Sequence, residues 1–118
     1  LLGLLSLLTG CGSPANQPVD PEIARATLVR TLEHWQQGGA ATDCQAWNPP
    51  VVVGHSPWQD GAKLSGFKLT AERSLDANLF VNVEMQLSQG GRTETMMEQY
   101  CVSTDPVVTV FRTMQPAF

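Results

Sequence analysis

The chain opens on a block of apolar residues, passes through a polar stretch, and then changes its hydrophobic period once. Leu1 to Leu8 reads L-L-G-L-L-S-L-L, too short an apolar run to cross a bilayer as a helix. From Asp20 the apolar positions recur at helical spacing: Ala24, Leu28, Leu32 and Trp35 share one face, with Ile23, Thr27 and Thr31 alongside. Asp20-Pro21-Glu22 is a start signal. Asp caps a free amide, Pro is preorganised for the first helical position, and Glu suits the positive end of the dipole. Gly38-Gly39 is the stop, which predicts a helix over residues 21–37.

Residues 40–61 follow no period. They hold Cys44, Trp47, Pro49-Pro50, His55, Pro57 and Trp58, and the tandem prolines end any helix. Val51-Val52-Val53 reads either as a short edge strand or as a pin holding the loop to the core. After Gly61 the period becomes two. Leu64, Phe67 and Leu69 share a face if Ser65-Gly66 forms a bulge. Leu79, Val81, Val83, Met85 and Leu87 alternate with Asn78, Phe80, Asn82, Glu84 and Gln86, the clearest half-buried strand in the chain. Gln89-Gly90-Gly91-Arg92 predicts a hairpin turn, residues 93–102 the returning strand, Asp105-Pro106 a second turn, and residues 107–112 a last strand. The expected fold is α+β: one N-terminal helix packed on an antiparallel meander of about four strands.

The front of the chain carries an address. Leu8-Thr9-Gly10-Cys11 resembles a bacterial lipobox, set between the apolar run and a small, polar, Pro-containing stretch from Gly12 to Val19. The resemblance implies a diacylglycerol thioether on Cys11, cleavage before it, and fatty acylation (palmitate or similar) of the new amino group. Several acyl chains anchor stably where one is marginal, at about 0.8 kcal/mol per buried CH₂. The expected organisation is the end of a signal peptide over 1–10, a lipidated Cys and tether over 11–19, and a domain over 20–118. Gly12, in place of Asp, implies the outer membrane, facing the periplasm, where the cell has two membranes. The expected partners are the membrane, through the lipid, and an envelope protein.

The helix-then-meander order, with Trp58-Gln59-Asp60-Gly61, then Leu64 and Phe67, then T-D-P-V-V-T-V-F-R at 104–112, resembles small envelope lipoproteins of the cystatin-like/NTF2-like group. That resemblance implies a sheet curved around the helix. In the enzymes of the group, proton chemistry runs inside the cone between the two. Asp43, His55, Glu84, Glu98 and Tyr100 are the residues of suitable type here, and no motif places any of them.

Composition narrows the partners. The net charge is −4 over 118 residues, with Lys and Arg scattered rather than clustered, which argues against nucleic acid. With Cys11 assigned to lipid, Cys44 and Cys101 remain. A disulfide between them would close a loop of about 60 residues, worth roughly 3–4 kcal/mol, in a domain that buries only roughly 60–65% of its unfolded surface. Two buried thiols fit the residues as well. There is no C-x-x-C, and two histidines, His34 and His55, without matching carboxylate spacing predict neither a metal site nor a cofactor. His34 reads as an exposed helix residue. Trp47 and Trp58 read as core plugs reaching in from a loop, or as the wall of a groove.

Two functional expectations follow. One is a noncatalytic binding or assembly-support module, with a core filled by Trp35, Phe67, Phe80, Met97 and Phe111 and an apolar patch outside. The other is a small-ligand binder or lyase/isomerase-type enzyme using an open cavity between helix and sheet.

Overall fold

The structure, a computed structural model, describes residues 17–118. The apolar leader and Cys11 lie outside the described residues.

Helix α1 (Pro21–Gln36) forms where the start and stop signals place it. Asp20 Oδ1 accepts from the amides of Glu22 at 3.0 Å and Ile23 at 3.3 Å. At the other end Gly38, at φ 90°, turns the chain away. Ala24, Leu28, Leu32 and Trp35 are all buried, while Ile23 is 56% exposed. Thr31 shares the buried face because its hydroxyl donates back to the Thr27 carbonyl at 2.8 Å, which leaves no unsatisfied polar atom there.

A 3-10 helix, η1 (Ala41–Ala46), follows, then β1 (Val51–Val53), β2 (Lys63–Leu75), β3 (Asn78–Gln89), β4 (Arg92–Ser103) and β5 (Val108–Arg112). β2 to β5 form the expected antiparallel meander. The bulge at Ser65 is present between Leu64 and Gly66, and a second lies between Leu69 and Ala71. Gly90 and Gly91, both at positive φ, close the β3–β4 hairpin. The strand count differs from expectation: the sheet has five strands in the order β1-β5-β4-β3-β2 and is mixed, because β1 pairs in parallel with β5. That pairing joins Val51 to Val108 across the whole meander. A parallel pair needs a long connection, so no local turn signal announces it.

The helix packs on one face of the sheet, against β2, β3 and β4. Leu79, Val81, Val83 and Met85 from β3, Val102 from β4 and Val110 from β5 meet Leu28 and Leu32 there, each no more than 1% exposed. The register corrects the expected core. Trp35 is buried and Phe67 packs at the core edge, but Phe80, Met97 and Phe111 belong to the outer face. Phe80 alternates with the inward Leu79 and Val81, and pairs across the strands with Cys101, which pairs with Phe111.

The outer face is crossed by the tail after β5. Thr113 N–H donates to the Gln99 carbonyl at 2.8 Å, and Ala117 N–H to Gln99 Oε1 at 2.7 Å. Gln99 Nε2 donates in turn to Asn82 Oδ1 at 2.8 Å. The Arg73 guanidinium lies 5.2 Å from the centre of the Phe118 ring. This is how Gln99, on the solvent side of a sheet, comes to be only 5% exposed.

The two ends of the sheet differ. At one end stand the β2–β3 turn, the β4–β5 turn and the start of α1, stitched together by Val19 N–H donating to the Asp76 carbonyl at 3.0 Å. At the other stand the end of α1, the 57–62 turn and the β3–β4 hairpin, where Gln89 Nε2 donates to the Asp60 carbonyl at 3.0 Å.

Candidate binding cleft

The second of these ends holds a cleft of about 580 Å³. It begins where α1 stops. Past Gly38 the chain doubles back so tightly that Gly39 sits against the His34 ring, where a β-carbon would overlap the imidazole. η1 then brings Asp43 to His34, with Nε2 to Oδ2 at 2.9 Å, and the same oxygen accepts from the Ala40 amide at 3.0 Å. The bond from His34, and then that from Ala40, hold the Asp43 carboxyl below the usual carboxylate range.

Two tryptophans brace the back wall. Trp35 and Trp58 stack with ring centres 5.2 Å apart and planes 6° from parallel. Each indole N–H is fixed: Trp35 Nε1 donates to the Ala62 carbonyl at 2.9 Å, Trp58 Nε1 to the Gly39 carbonyl at 3.0 Å. Gln59 holds the turn between them, accepting from the Ser56 amide at 2.9 Å and donating to the Gly54 carbonyl at 3.1 Å. Trp47 stands beside this wall, edge-on to His34 at 5.5 Å, with the Arg30 guanidinium 4.0 Å over its ring. Gln36, Gln37 and Thr42 supply neutral hydrogen-bonding groups, and Lys63 is the ionisable residue of the lining.

Trp58 is a core plug whose edge also lines the cleft, whereas Trp47 is partly buried and stands outside the lining. His34 departs from expectation. It is half-buried between Asp43 and two indoles instead of standing free on the helix. The pair spans nine residues, and the signal for it is the double glycine that folds the chain back.

The other residues of catalytic type are dispersed. His55 Nε2 lies 3.2 Å from Asp60 Oδ2 in an exposed pair. Glu84 is on the outer face, opposite Met97. Glu98 faces inward opposite Val83, with its carboxylate 3.5 Å from Arg112. Tyr100 is buried near it. Desolvation, and then Glu98, push its phenol far above the ordinary range, and its hydroxyl donates to Met85 Sδ at 3.9 Å. None of these lines the cleft.

Cys44 and Cys101 are both free thiols. Cys44 is fully buried in the core, whereas Cys101 points to the outer face of β4, between Phe80 and Phe111. The sheet does not bring the two together. Burial raises both thiols above their ordinary pKa. Among the described residues no cluster of His, Cys, Asp and Glu could hold a metal ion. Comparison with protein-family models, with curated proteins and with solved structures finds no match to this chain.

Proposed function

We propose that the chain is an envelope lipoprotein, anchored through lipid on Cys11, whose domain is a noncatalytic module that binds an envelope protein or supports an assembly near the membrane. Where the cell has two membranes, Gly12 after the Cys assigns it to the outer one, facing the periplasm. The domain is read as a cystatin-like/NTF2-like variant in which a fifth strand extends the meander.

The observation that carries this reading is the placement of the two ends. Val19, where the tether joins the domain, is bonded to Asp76 at one end of the sheet, and the cleft lies at the other. A tether is useful only if something must be held off a surface, and this arrangement presents the cleft away from the anchor. The test is a photo-crosslinking residue at Gln37, in the cleft, in membranes from cells that make the protein. The expected result is an adduct to one envelope protein that disappears when Thr42→Trp fills the cleft and persists when Leu75→Ser alters the opposite end. An adduct indifferent to the filled cleft contradicts the reading.

The second reading, a small-ligand binder, draws support from the cleft volume, which falls within the range of ligand sites, roughly 300–1,000 Å³. Its site would lie beyond the helix end. Beneath the helix the sheet is covered by side chains no more than 1% exposed, and a smaller pocket of about 220 Å³ lies on that same face nearer the hairpin, lined in part by Leu87, Glu94 and Met96.

A further inference from the structure

The end at which the tether joins the domain carries three of the eight exposed large apolar side chains of the described residues, the others being Val52 on β1, Met97 and Phe111 on the outer face, and Met114 and Phe118 in the tail. Ile23 in the first turn of α1 is 56% exposed, Leu75 at the β2–β3 turn 42%, and Val107 at the β4–β5 turn 51%. They belong to one end of the sheet, because Leu75 pairs with Asn78, Asn78 with Ser103, and Ser103 with Thr109, two residues beyond Val107. β2, which ends at Leu75, and β5, which follows Val107, are three sheet spacings apart, roughly 14 Å. At the opposite end, Gln36, Gln37, Gln59, Lys63, Gln89 and Arg92 face solvent, and none of the exposed large hydrophobic side chains of the described residues is there.

The length of chain in front of this end limits how far it can lie from lipid carried on Cys11. Eight residues lead from Cys11 to Val19, so the tether reaches at most about 28 Å. β2 alone, at 13 residues, is roughly 40 Å long. The Val19 end therefore stays within reach of the lipid, while the cleft end touches it only if the domain lies flat. Exposed Asp20, Glu22, Asp76 and Asp105 surround the apolar side chains. Of the two nearby cations, Arg25 is committed to Glu72, with Nε to Oε1 at 2.7 Å, and Arg73 lies over the Phe118 ring, which leaves the carboxylates in excess. Four carboxylates held close to an anionic surface are repelled at separations below a Debye length, about 8 Å in physiological salt.

We infer that the end of the domain bearing Ile23, Leu75 and Val107 docks on a zwitterionic lipid surface, seating the domain upright on its own anchor. The inference rests on the lipid-anchor reading above. Docking holds the cleft at a fixed height above the lipid. The apolar side chains enter the headgroup region, as the apolar face of an interfacial segment does, and their burial adds to that of the acyl chains.

The test uses the full lipidated protein, purified from membranes and reconstituted in vesicles of brominated phosphatidylcholine. A Leu75→Trp variant supplies the reporter, since bromine quenches indole only at close range. The native Trp35, Trp47 and Trp58 all stand at the far end and serve as the internal control. The expected result is quenching at least several-fold greater for the variant than for the parent. It should fall back when Ile23→Ser and Val107→Ser are added, with an unchanged circular dichroism spectrum, and it should weaken on brominated phosphatidylglycerol. The mass of the Cys11 peptide from the same sample separates the two ways of failing. Lipid on Cys11 with no quenching at residue 75 overturns the docking and leaves the anchor standing, whereas a bare thiol overturns both. Quenching on the anionic vesicles as strong as on the zwitterionic ones overturns the choice of lipid surface.

Discussion

The two ends of the sheet are built on opposite principles. At the Val19 end the chain is held by caps and turns: Asp20 on α1, the Val19–Asp76 bond, and Asp76 itself at φ 51°. Ile23, Leu75 and Val107 stand outward there, over a buried layer of Ala24, Leu79, Val102 and Val108. At the cleft end the aromatic side chains turn inward. Trp35 and Trp58 are 3% and 8% exposed, each indole N–H is bonded, and the surface is left to amides and backbone. One end thus bears exposed apolar side chains over aliphatic packing, and the other is an aromatic wall around a cleft. Their stabilities should differ accordingly, and that contrast can be broken or sharpened residue by residue.

The largest effect is expected at the wall. Trp35→Ala removes a buried indole, its stack on Trp58 and its bond to Ala62, and should cost about 3–5 kcal/mol in urea unfolding. Next comes Gly39→Ala. Its β-carbon meets the His34 ring, so the loop must shift and the His34–Asp43 bond must stretch, at about 1–3 kcal/mol. At the opposite end Asp20→Ala deletes the side-chain cap of α1 and should cost about 1 kcal/mol, read as a lower melting temperature with unchanged cleft chemistry. Ile23→Ser, on the exposed surface, should stay within about 0.5 kcal/mol. If Ile23→Ser proved as damaging as Trp35→Ala, the contrast between the ends would be lost.

Acid adds a further test. Asp43 is held below its ordinary pKa in the folded state by His34 and the Ala40 amide. Its contribution to stability is therefore complete above the unfolded carboxylate value, about 4, and is lost as pH falls through the lowered folded value. Asp43→Asn should flatten the fall in unfolding midpoint below about pH 4. Parallel curves for the variant and the parent would contradict the role of that pair.

How much of this was legible in the sequence depends on how local each cause is. The helix was readable because Asp20-Pro21-Glu22 and Gly38-Gly39 are start and stop signals in adjacent residues. β3 and its hairpin were readable because five alternating apolar residues lead to a Gly-Gly turn. The bulge at Ser65 was readable because only it brings Leu64 and Phe67 to one face. β1 could be seen as an edge strand, but its parallel partner lies more than fifty residues away, where no local pattern reaches. The assignment of Phe80, Met97 and Phe111 to the core failed for a related reason. Bulk favours burial, yet strict alternation beside Leu79, Tyr100 and Val110 sends all three outward. Gln99 is the converse, a polar residue buried by a tail that sequence pattern does not place. The tryptophans pointed to the right loop, but the cleft is shaped largely by backbone at Gly38 to Ala41 and has no residue signature. Cysteine counting yielded two thiols without saying that the sheet separates them.

The account depends most on a thioether at one sulfur. Mass spectrometry of the N-terminal peptide of the protein isolated from native membranes reads it directly. The prediction is a peptide that begins at Cys11 and carries diacylglycerol with an amide-linked fatty acid. A peptide that keeps the leucines before Gly10 and shows an unmodified thiol at residue 11 would contradict it.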